Sequence, residues 1–236
     1  MRLLLYLGFA ATLFAADPNR LTFEEQRAGW VLLFDGKTTA GWEEVTGKPF
    51  PDTWTIDKGC LKAVVKPGGA QDIRTESSYK SFDLQFEWRV LDMGNSGVKY
   101  LIQNEDEWTN KDGRQARARG LEYQLADEKH PDAASDLKRT SASLYSLIAP
   151  LPKVDLVIGA FNQSRIVVRG RKGEHWLNGV KAVSFDLDDP AVVDLLRKNL
   201  PKTATADTKL RTESAISLQN HGSDVWFRNI KILRLD

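Results

Sequence analysis

The sequence predicts an all-β protein built from two packed antiparallel sheets. Short runs of β-branched and aromatic residues recur along the 236-residue chain, and Gly, Pro, Asn and Asp separate these runs. Few segments show helical spacing, so most of the chain is left to strands that must bury one face against another layer. The opposite face of each sheet is then open to solvent or to a ligand.

The clearest strand is Phe82–Val90, where apolar and polar residues alternate along the whole run. The closing run Val225–Leu235 is apolar on both faces, which predicts a central strand or one that contains a bulge. Asp57-Lys58-Gly59 predicts a hairpin loop between two of the shorter strands. The shorter predicted strands are Val31–Phe34, Thr53–Ile56, Leu61–Val65, Val98–Gln103, Leu121–Leu125, Ser143–Ile148, Ser164–Arg169 and Ala215–Leu218.

Three segments interrupt the β pattern. Thr22–Arg27 predicts a short helical turn, and the polar stretch Glu128–Arg139 predicts a short helix within a long loop. Asp189-Pro190 supplies a cap residue followed by proline at the first helical position, and it opens an apolar stripe at helical spacing over Ala191–Leu200.

The N-terminal segment predicts a secretory signal peptide over residues 1–16, with Arg2 followed by an apolar stretch and then small residues. The apolar stretch is shorter than the roughly 20 residues that a membrane span needs. We therefore expect a secreted or periplasmic protein with no membrane span after cleavage, and one domain over residues 17–236.

Composition excludes several functional classes. Lys and Arg number 33, Asp and Glu 32, so the formal net charge is +1 and the basic footprint of a nucleic-acid-binding protein is missing. Cys60 is the only cysteine, which excludes an internal disulfide framework and any multi-cysteine metal site. The chain has no Gly-rich phosphate loop, so no nucleotide cofactor is expected.

Polar side chains on three predicted strands suggest a binding face. If these strands pair in one sheet, alternation places Lys99, Glu122, Gln124 and Gln219 on its non-core side, with His221 just beyond the end of one strand. Polar side chains mixed with tryptophan suit sugars, because hydroxyls need donors and acceptors and C–H faces need flat rings. The same pattern is also ordinary for a sheet face that meets only solvent.

The histidines lack the local spacing of a metal site. A site that combines Glu122, His130 and His221 would require the fold to bring the three together. Each of these histidines, and His175, could equally serve a structural role.

Several longer strings occur in one order along the chain, and together they resemble the 3-keto-disaccharide hydrolase family over about residues 28–235. The strings are Gly29-Trp30-Val31-Leu32-Leu33-Phe34-Asp35-Gly36 with Gly41-Trp42, Asn95-Ser96-Gly97-Val98, Gly120-Leu121-Glu122-Tyr123-Gln124-Leu125, His130-Pro131-Asp132-Ala133, Ser143-Leu144-Tyr145, His175-Trp176-Leu177-Asn178-Gly179, and Leu218-Gln219-Asn220-His221-Gly222 with Val225-Trp226-Phe227-Arg228-Asn229-Ile230. The chain departs from the family at Phe161-Asn162, where Trp-Asn is usual, and at residues 186–213, which read as an extended loop.

The resemblance implies a jelly-roll sandwich of the concanavalin A-like lectin/glucanase type, and an enzyme that cleaves glycosides already oxidised at C3. A ketone at C3 makes the C2 proton acidic, so a base can remove it, the C1 substituent can leave, and water can add back. The resemblance assigns His221 or His130 as base or metal ligand, and Glu122 as acid, base or metal ligand. The expected substrate contacts are Lys99, Gln124 and Gln219, with Asn95 and Asn178 as further candidates; Ca, Mn or Zn would suit the histidine and carboxylate ligands.

Two alternatives stay open at this point. A sandwich of this kind could be a non-catalytic carbohydrate-binding module, since fold does not fix function. It could also be a conventional glycoside hydrolase, which needs two carboxylates across the scissile bond. Glu87 with Glu122 is the pair that strand alternation suggests for that mechanism.

Overall fold

The computed structural model describes residues 18–235, and nearly all of its regular structure is β. The predicted signal peptide over residues 1–16 lies outside the described residues. The helices are α1 (Phe23–Arg27), α2 (Pro131–Ser135) and α3 (Pro190–Lys198), with a 3-10 turn at Leu137–Arg139. The strands are β1 (Val31–Leu32), β2 (Trp42–Glu44), β3 (Trp54–Asp57), β4 (Cys60–Ala63), β5 (Gly68–Gln71), β6 (Ile73–Thr75), β7 (Phe82–Val90), β8 (Asn95–Asn110), β9 (Gly113–Ala126), β10 (Asn162–Arg169), β11 (Lys172–Leu177), β12 (Val180–Asp186), β13 (Ser217–Leu218) and β14 (Val225–Arg234).

The strands form two sheets, which confirms the predicted two-sheet sandwich. Sheet A has the order β12-β11-β10-β7-β14-β4-β3, with β1 added to β14. Sheet B has the order β2-β6-β13-β8-β9-β5. The expectation of purely antiparallel sheets is wrong at one edge, because β5 pairs with β9 in parallel.

The two strands with the strongest sequence signals form as predicted. β7 spans the predicted residues, and it lies between β10 and β14 in the middle of sheet A. β14 is also central, because it pairs with β7, β4 and β1. Its register shifts between Arg228 and Lys231, so the predicted bulge is present as well. A central strand is apolar on both faces because neither face meets much water.

Aromatic side chains join the two sheets. Phe86 of sheet A meets Tyr123 of sheet B edge to face, with ring centroids 5.9 Å apart. The Trp88 indole N–H donates to Ser164 Oγ at 2.8 Å, and the Tyr123 hydroxyl lies 2.8 Å from the same oxygen. The polar ends of these rings are therefore satisfied within the core, while the rings supply the apolar area that stabilises the sandwich.

One predicted strand is absent, and several observed strands were not predicted. Ser143–Ile148 forms turns in which Leu144 bridges to Tyr123 and Ile148, so the strand prediction there is wrong. The unpredicted strands are β2, β5, β6, β11 and β12, together with the outer parts of β8 and β9. The strands β2, β5 and β6 are three or four residues long, too short to show a period of two.

The helices begin where their capping residues predict. Asp189 accepts a hydrogen bond from the backbone N–H of Ala191, and Pro190 occupies the first turn of α3. The apolar stripe of this helix is buried at Val192 and Leu196. The predicted helix over Glu128–Arg139 is divided into α2 and the 3-10 turn. No helix among residues 18–235 is long and apolar enough to cross a membrane.

His175 is a polar group held wholly inside the core. The Tyr100 hydroxyl lies 2.7 Å from Nε2, and Nδ1 lies 3.0 Å from the carbonyl oxygen of Ala142. A carbonyl can only accept, so Nδ1 carries the proton and Nε2 accepts from Tyr100. Burial lowers the pKa of His175 from 6.5 to about 4, because a charged imidazolium would lose its hydration.

Acid should therefore destabilise the fold through His175. The unfolded chain binds a proton at the ordinary pKa and the folded protein does not, so this stability is full above pH 6.5 and is lost as the pH falls through 4. The loss amounts to about 3 kcal/mol. Urea unfolding at pH 7 and pH 4 measures it, and His175→Gln removes the titrating group. Equal pH dependence in the two proteins would contradict this assignment.

Candidate active site

A pocket of about 480 Å³ lies on the face of sheet B that points away from the core. The polar side chains predicted to share this face do so, since Lys99, Glu122, Gln124 and Gln219 all line the pocket. Asn95 and His221 complete the predicted set found there. The remaining lining residues are Trp108, Arg117, Ala118, Arg119, Gly120, Asp132, Tyr145, Ser146, Leu195 and Asn199.

The strand register brings the predicted residues together. β8 and β9 pair so that Lys99 lies opposite Glu122, and Gly97 lies opposite Gln124. β13 pairs with the other edge of β8, and Gln219 follows directly after β13. Three strands that are far apart in sequence therefore present adjacent side chains on one sheet face.

Asp72, a fully buried carboxylate, lies beneath this face. Its Oδ2 accepts from the Lys99 ammonium at 3.1 Å and from the backbone N–H of Ala118 at 3.2 Å. Its Oδ1 accepts from Arg117 at 3.1 Å and from the backbone N–H of Asn220 at 3.1 Å. The carboxylate thus fixes two cations of the pocket floor and joins β9 to the loop that follows β13.

The loop after β13 places His221 at the pocket. The Asn220 amide donates to the carbonyl oxygen of Thr53 at 3.1 Å, and its Oδ1 accepts from the Gly222 N–H at 3.0 Å. Asn220 is fully buried, whereas the imidazole of His221 remains accessible from the pocket. Burial, together with the positive charges of Arg117 and Lys99, lowers the pKa of His221. At neutral pH this imidazole is uncharged and can accept a proton.

The Glu122 carboxyl has an environment that favours its neutral form. Burial is the main cause that raises its pKa, to about 7, and it outweighs the opposing charge of Lys99. Gly97 leaves the space that the carboxyl fills, because a Cβ there would overlap it. When the Gln124 amide is turned so that its nitrogen faces acceptors, it donates to the Ser96 carbonyl oxygen at 3.0 Å and to Glu122 Oε1 at 3.2 Å, and the second bond orients the carboxyl. A carboxyl with this pKa can give or take a proton near neutral pH.

His130 approaches the site but has a structural task. The backbone N–H of Asp132 donates to His130 Nδ1 at 3.2 Å, so the imidazole caps the N-terminus of α2. Its ring centroid lies 6.2 Å from that of His221, with the rings at 89° to each other. Asn95 Nδ2 lies 3.4 Å from the same Nδ1. The structure therefore brings His130 to the edge of the pocket, with one of its two nitrogens already occupied.

Tyr145 and Asp132 form a pair at the pocket wall. The Tyr145 hydroxyl donates to Asp132 Oδ2 at 2.8 Å, and Arg139 donates to Oδ1 at 2.6 Å. Burial alone would raise the pKa of Asp132. The two hydrogen bonds outweigh burial, so the pKa of this carboxyl is lowered. Burial and the adjacent carboxylate raise the pKa of Tyr145 to about 12. Asp132 is thus a fixed anion and Tyr145 a neutral phenol.

Two residues with predicted roles lie elsewhere. Asn178 occupies the turn between β11 and β12, where its Oδ1 accepts from the Gln163 N–H at 2.9 Å, and it does not line the pocket. Glu87 lies on sheet A, where it accepts from Arg228 and Asn229 at 2.7 and 2.9 Å. The pairing of Glu87 with Glu122 across one substrate is therefore wrong.

The predicted metal ligands do not form a ready-made metal site. Within residues 18–235, no three His, Cys, Asp or Glu side chains are grouped to hold a metal ion. His130 uses Nδ1 as a helix cap, and Glu122 accepts from Gln124. A role for Ca, Mn or Zn stays a prediction.

Several pocket residues were missed by sequence reasoning. Arg117 and Arg119 alternate with alanines on β9, and this period of two could have revealed both the strand and its polar face. Asp132 and Tyr145 lie within strings that carried the family resemblance. Asp72 had no local signal, because its importance arises only when three distant segments, β8, β9 and the loop after β13, converge on it.

Comparison with known proteins identifies the family. Residues 29–233 match the family described as the 3-keto-alpha-glucoside-1,2-lyase-like domain. The chain belongs to this family. A 3-keto-disaccharide hydrolase from Bacteroides thetaiotaomicron is 32% identical over 252 aligned positions, which cover 98% of this chain and 87% of the relative. Membership supports a carbohydrate-active enzyme that acts on glycosides.

Solved structures of similar proteins share the fold. A crystal structure from Parabacteroides distasonis, provisionally named a glycosyl hydrolase, is 28% identical with a TM-score of 0.75, and the match covers 93% of this chain and 100% of that one. A second structure from the same organism, with the same provisional name, is 25% identical with a TM-score of 0.63, and covers 87% and 99%. The lectin/glucanase-like sandwich predicted from the sequence is thus confirmed for this family member.

Replacing Glu122 should stabilise the protein at alkaline pH. Because the folded pKa is raised from 4.5 to about 7, the stability linked to this group is full below pH 4.5 and is lost as the pH rises through 7. We expect Glu122→Gln to raise the free energy of unfolding at pH 8 by about 1–2 kcal/mol, after allowance for solvent screening of a half-buried group. The gain should disappear at pH 4.5; a gain that is the same at both pH values would contradict the raised pKa.

Proposed function

We propose that this protein cleaves the glycosidic bond of glucosides that carry a ketone at C3, by removal of the C2 proton, elimination of the C1 substituent and hydration. The observation that carries the proposal is the juxtaposition of a neutral imidazole, a carboxyl with a pKa of about 7 and an ammonium group in one pocket. The family description and the name of the relative support the choice of a 3-keto sugar as substrate.

His221 serves as the general base in this proposal. Its neutral imidazole accepts the C2 proton, and the electron pair of the C–H bond becomes the C2–C3 double bond of an enolate. A correctly placed base contributes about 10²–10⁴-fold to such a step. His221 suits this role better than His130, because His221 lines the pocket whereas Nδ1 of His130 already caps α2.

Lys99 stabilises the negative charge that develops on the C3 oxygen. Lys99 and Arg117 bring two positive charges to the pocket floor, and Asp72 neutralises one of them. With Glu122 protonated, one positive charge remains to oppose the enolate. Lys99 is largely buried, and a fixed charge in such a place stabilises the transition state more than the same charge in bulk solvent.

Glu122 acts as the general acid. As the enolate returns its electrons to form the C1–C2 double bond, the C1–O bond breaks and the leaving oxygen takes the proton of Glu122. Water then adds to C1 and a proton returns to C2, which completes the net hydrolysis. In the return step Glu122 removes a proton from water and His221 returns one to C2. Gln124 and Gln219 line the pocket, and we expect them to bind sugar hydroxyls, Gln219 through an Oε1 that has no protein partner among the described residues.

The test of the proposal is a paired assay on the purified protein. A 3-keto glucoside and its unoxidised parent are offered separately, with and without a chelator, and release of the leaving group is measured. We expect cleavage of the keto sugar alone. Cleavage of the parent would support a conventional glycosidase, and glycan binding without any cleavage would support a binding module. Loss of activity with chelator would show that a metal is required.

The two catalytic groups should respond differently to the leaving group. We expect His221→Ala to lower kcat by at least about 10²-fold on every 3-keto glucoside, since the base is needed whatever leaves. Glu122→Gln should cause a similar loss on alkyl 3-keto-glucosides and a much smaller one on 4-nitrophenyl 3-keto-glucoside, because nitrophenolate leaves without a proton. Single-turnover rates on both substrates measure this difference.

Glu87→Gln provides the matched control, because it replaces a half-buried glutamate on the opposite sheet and should leave both rates unchanged. The dependence of kcat/KM on pH should be bell-shaped, with an alkaline limb near pH 7 from Glu122 and an acid limb below pH 6.5 from His221. Equal losses on both leaving groups in the Glu122→Gln variant would remove the general-acid role.

A further inference from the structure

The helix α3 lies between two cavities. It presents Leu195 and Asn199 to the pocket of the candidate active site, and Val193 and Leu196 to a second cavity of about 370 Å³. A cavity of this size falls within the range of about 300–1,000 Å³ that is usual for small-molecule sites. We propose that it binds one alkyl chain that ends in a carboxylate. This binding is independent of the proposed function and can be measured without catalysis.

The second cavity is lined mainly by aliphatic side chains. Those of Leu101, Leu187 and Leu196 are almost fully buried and form its floor. Val193 and Leu210 are half-buried, so the cavity is accessible from the surface. Water finds few hydrogen-bond partners in such a place, and an alkyl chain that replaces it gains free energy with each methylene that it buries.

The walls of this cavity are held in place by the buried side chain of Gln103. Its Nε2 donates to the carbonyl oxygens of Leu101 at 2.8 Å and Arg211 at 3.0 Å, and its Oε1 accepts from the Arg211 N–H at 2.8 Å. Leu101 has a φ of 47°, which is rare for leucine, and it lies where the register of β8 against β9 shifts. Backbone strain of this kind persists only where surrounding contacts fix it, and it is frequent at ligand sites. The walls are therefore arranged before a ligand binds, which lowers the cost of binding.

The rim of the cavity carries an excess of positive charge. Lys80 lines it, is exposed, and has no ion-pair or hydrogen-bond partner for its ammonium among the described residues. Arg211 lies 3.5 Å from Glu105, but it shares that carboxylate with another arginine. The third cation, Arg171, is neutralised by Asp188. An anionic group at the end of an apolar chain complements this rim, and a cationic group does not.

Most of the cavity comes from residues 186–213, the segment in which the chain departs from the family pattern. This segment supplies α3, Leu187 and the wall at Leu210–Thr212. The activity of the family therefore does not imply a ligand at this place. A chain bound here would pack against Val193 and Leu196, so the backbone amides of α3 should exchange their hydrogens more slowly when it is present.

The test is calorimetric binding of hexanoate, octanoate and decanoate to the purified protein, each below its micellar concentration. We expect the affinity to rise about fourfold for each added methylene, because each one leaves water for the cavity. Lys80→Ala should weaken octanoate binding about fivefold and leave 1-octanol binding unchanged, because only the carboxylate uses the ammonium. Val193→Asp should abolish binding of both, since it places a charge at the opening.

Lys111→Ala and Val180→Asp are the matched controls. Lys111 is exposed at the turn between β8 and β9, Val180 is 38% exposed at the start of β12, and neither lines the cavity. An affinity that does not change with chain length, or equal losses in the control variants, would overturn the proposal. Equal binding of octanoate by the wild-type protein and Lys80→Ala would overturn the anionic end of the ligand. If Val193→Asp does not fold, hydrogen exchange of the wild-type protein with decanoate decides the location, and unchanged exchange in α3 would overturn it.

Discussion

The pocket depends on the buried carboxylate of Asp72. It lies between β5 and β6 and accepts hydrogen bonds from Lys99, Arg117 and two backbone N–H groups, one on β9 and one before His221. Without these partners the carboxylate could not remain buried, because desolvation of an unpaired charge is very unfavourable. The same contacts place the Lys99 ammonium at the pocket floor and hold the loop that carries His221. The positions of Lys99 and His221 are therefore set by one anion.

Asp72 also influences the protonation of Glu122. Its negative charge raises the pKa of Glu122, while Lys99 lowers it, and burial exceeds both. If Lys99 and Arg117 had no anionic partner, they would stabilise an ionised Glu122, which would then be unable to donate a proton at neutral pH. The pocket thus combines a positive charge, which the proposed mechanism uses to stabilise the enolate, with a carboxyl that can still hold a proton near neutral pH. The raised pKa of Glu122 lowers the stability of the folded protein at alkaline pH. Such a loss is common where function requires a shifted pKa.

The sequence predicts the fold and much of the pocket because both follow from alternation. Phe82–Val90 and Val225–Leu235 carry strong patterns, and they become central strands of sheet A. Alternation puts Lys99, Glu122 and Gln219 on one face under the single assumption that their strands are neighbours, and the pairing of β13, β8 and β9 confirms this assumption. Short strands such as β5 and β6 are too short to show a period of two in hydrophobicity. The segment that carries Asp72 therefore has no predicted place in the sheet.

The remaining parts of the site arise from contacts that only the folded chain creates. His130 resembles a ligand in sequence, yet its Nδ1 caps α2, and Asn178 resembles a polar contact, yet it closes a hairpin. Glu87 alternates like Glu122, but it belongs to the other sheet. Which sheet a strand joins, and which hydrogen bonds a side chain has already made, depend on long-range pairing that local patterns do not encode.

The most direct test is to measure the pKa of the Glu122 carboxyl itself. Isotope-edited infrared or carbon-detected NMR spectra of the wild-type protein, with Glu122→Gln as the reference that lacks the signal, would report its pKa. We expect a pKa of about 7 for Glu122, and a lower pKa in an Asp72→Asn variant that is still folded, because Lys99 and Arg117 then act on Glu122 without compensation. A value near 4.5 in the wild-type protein would contradict the account, since Glu122 would then be ionised at neutral pH.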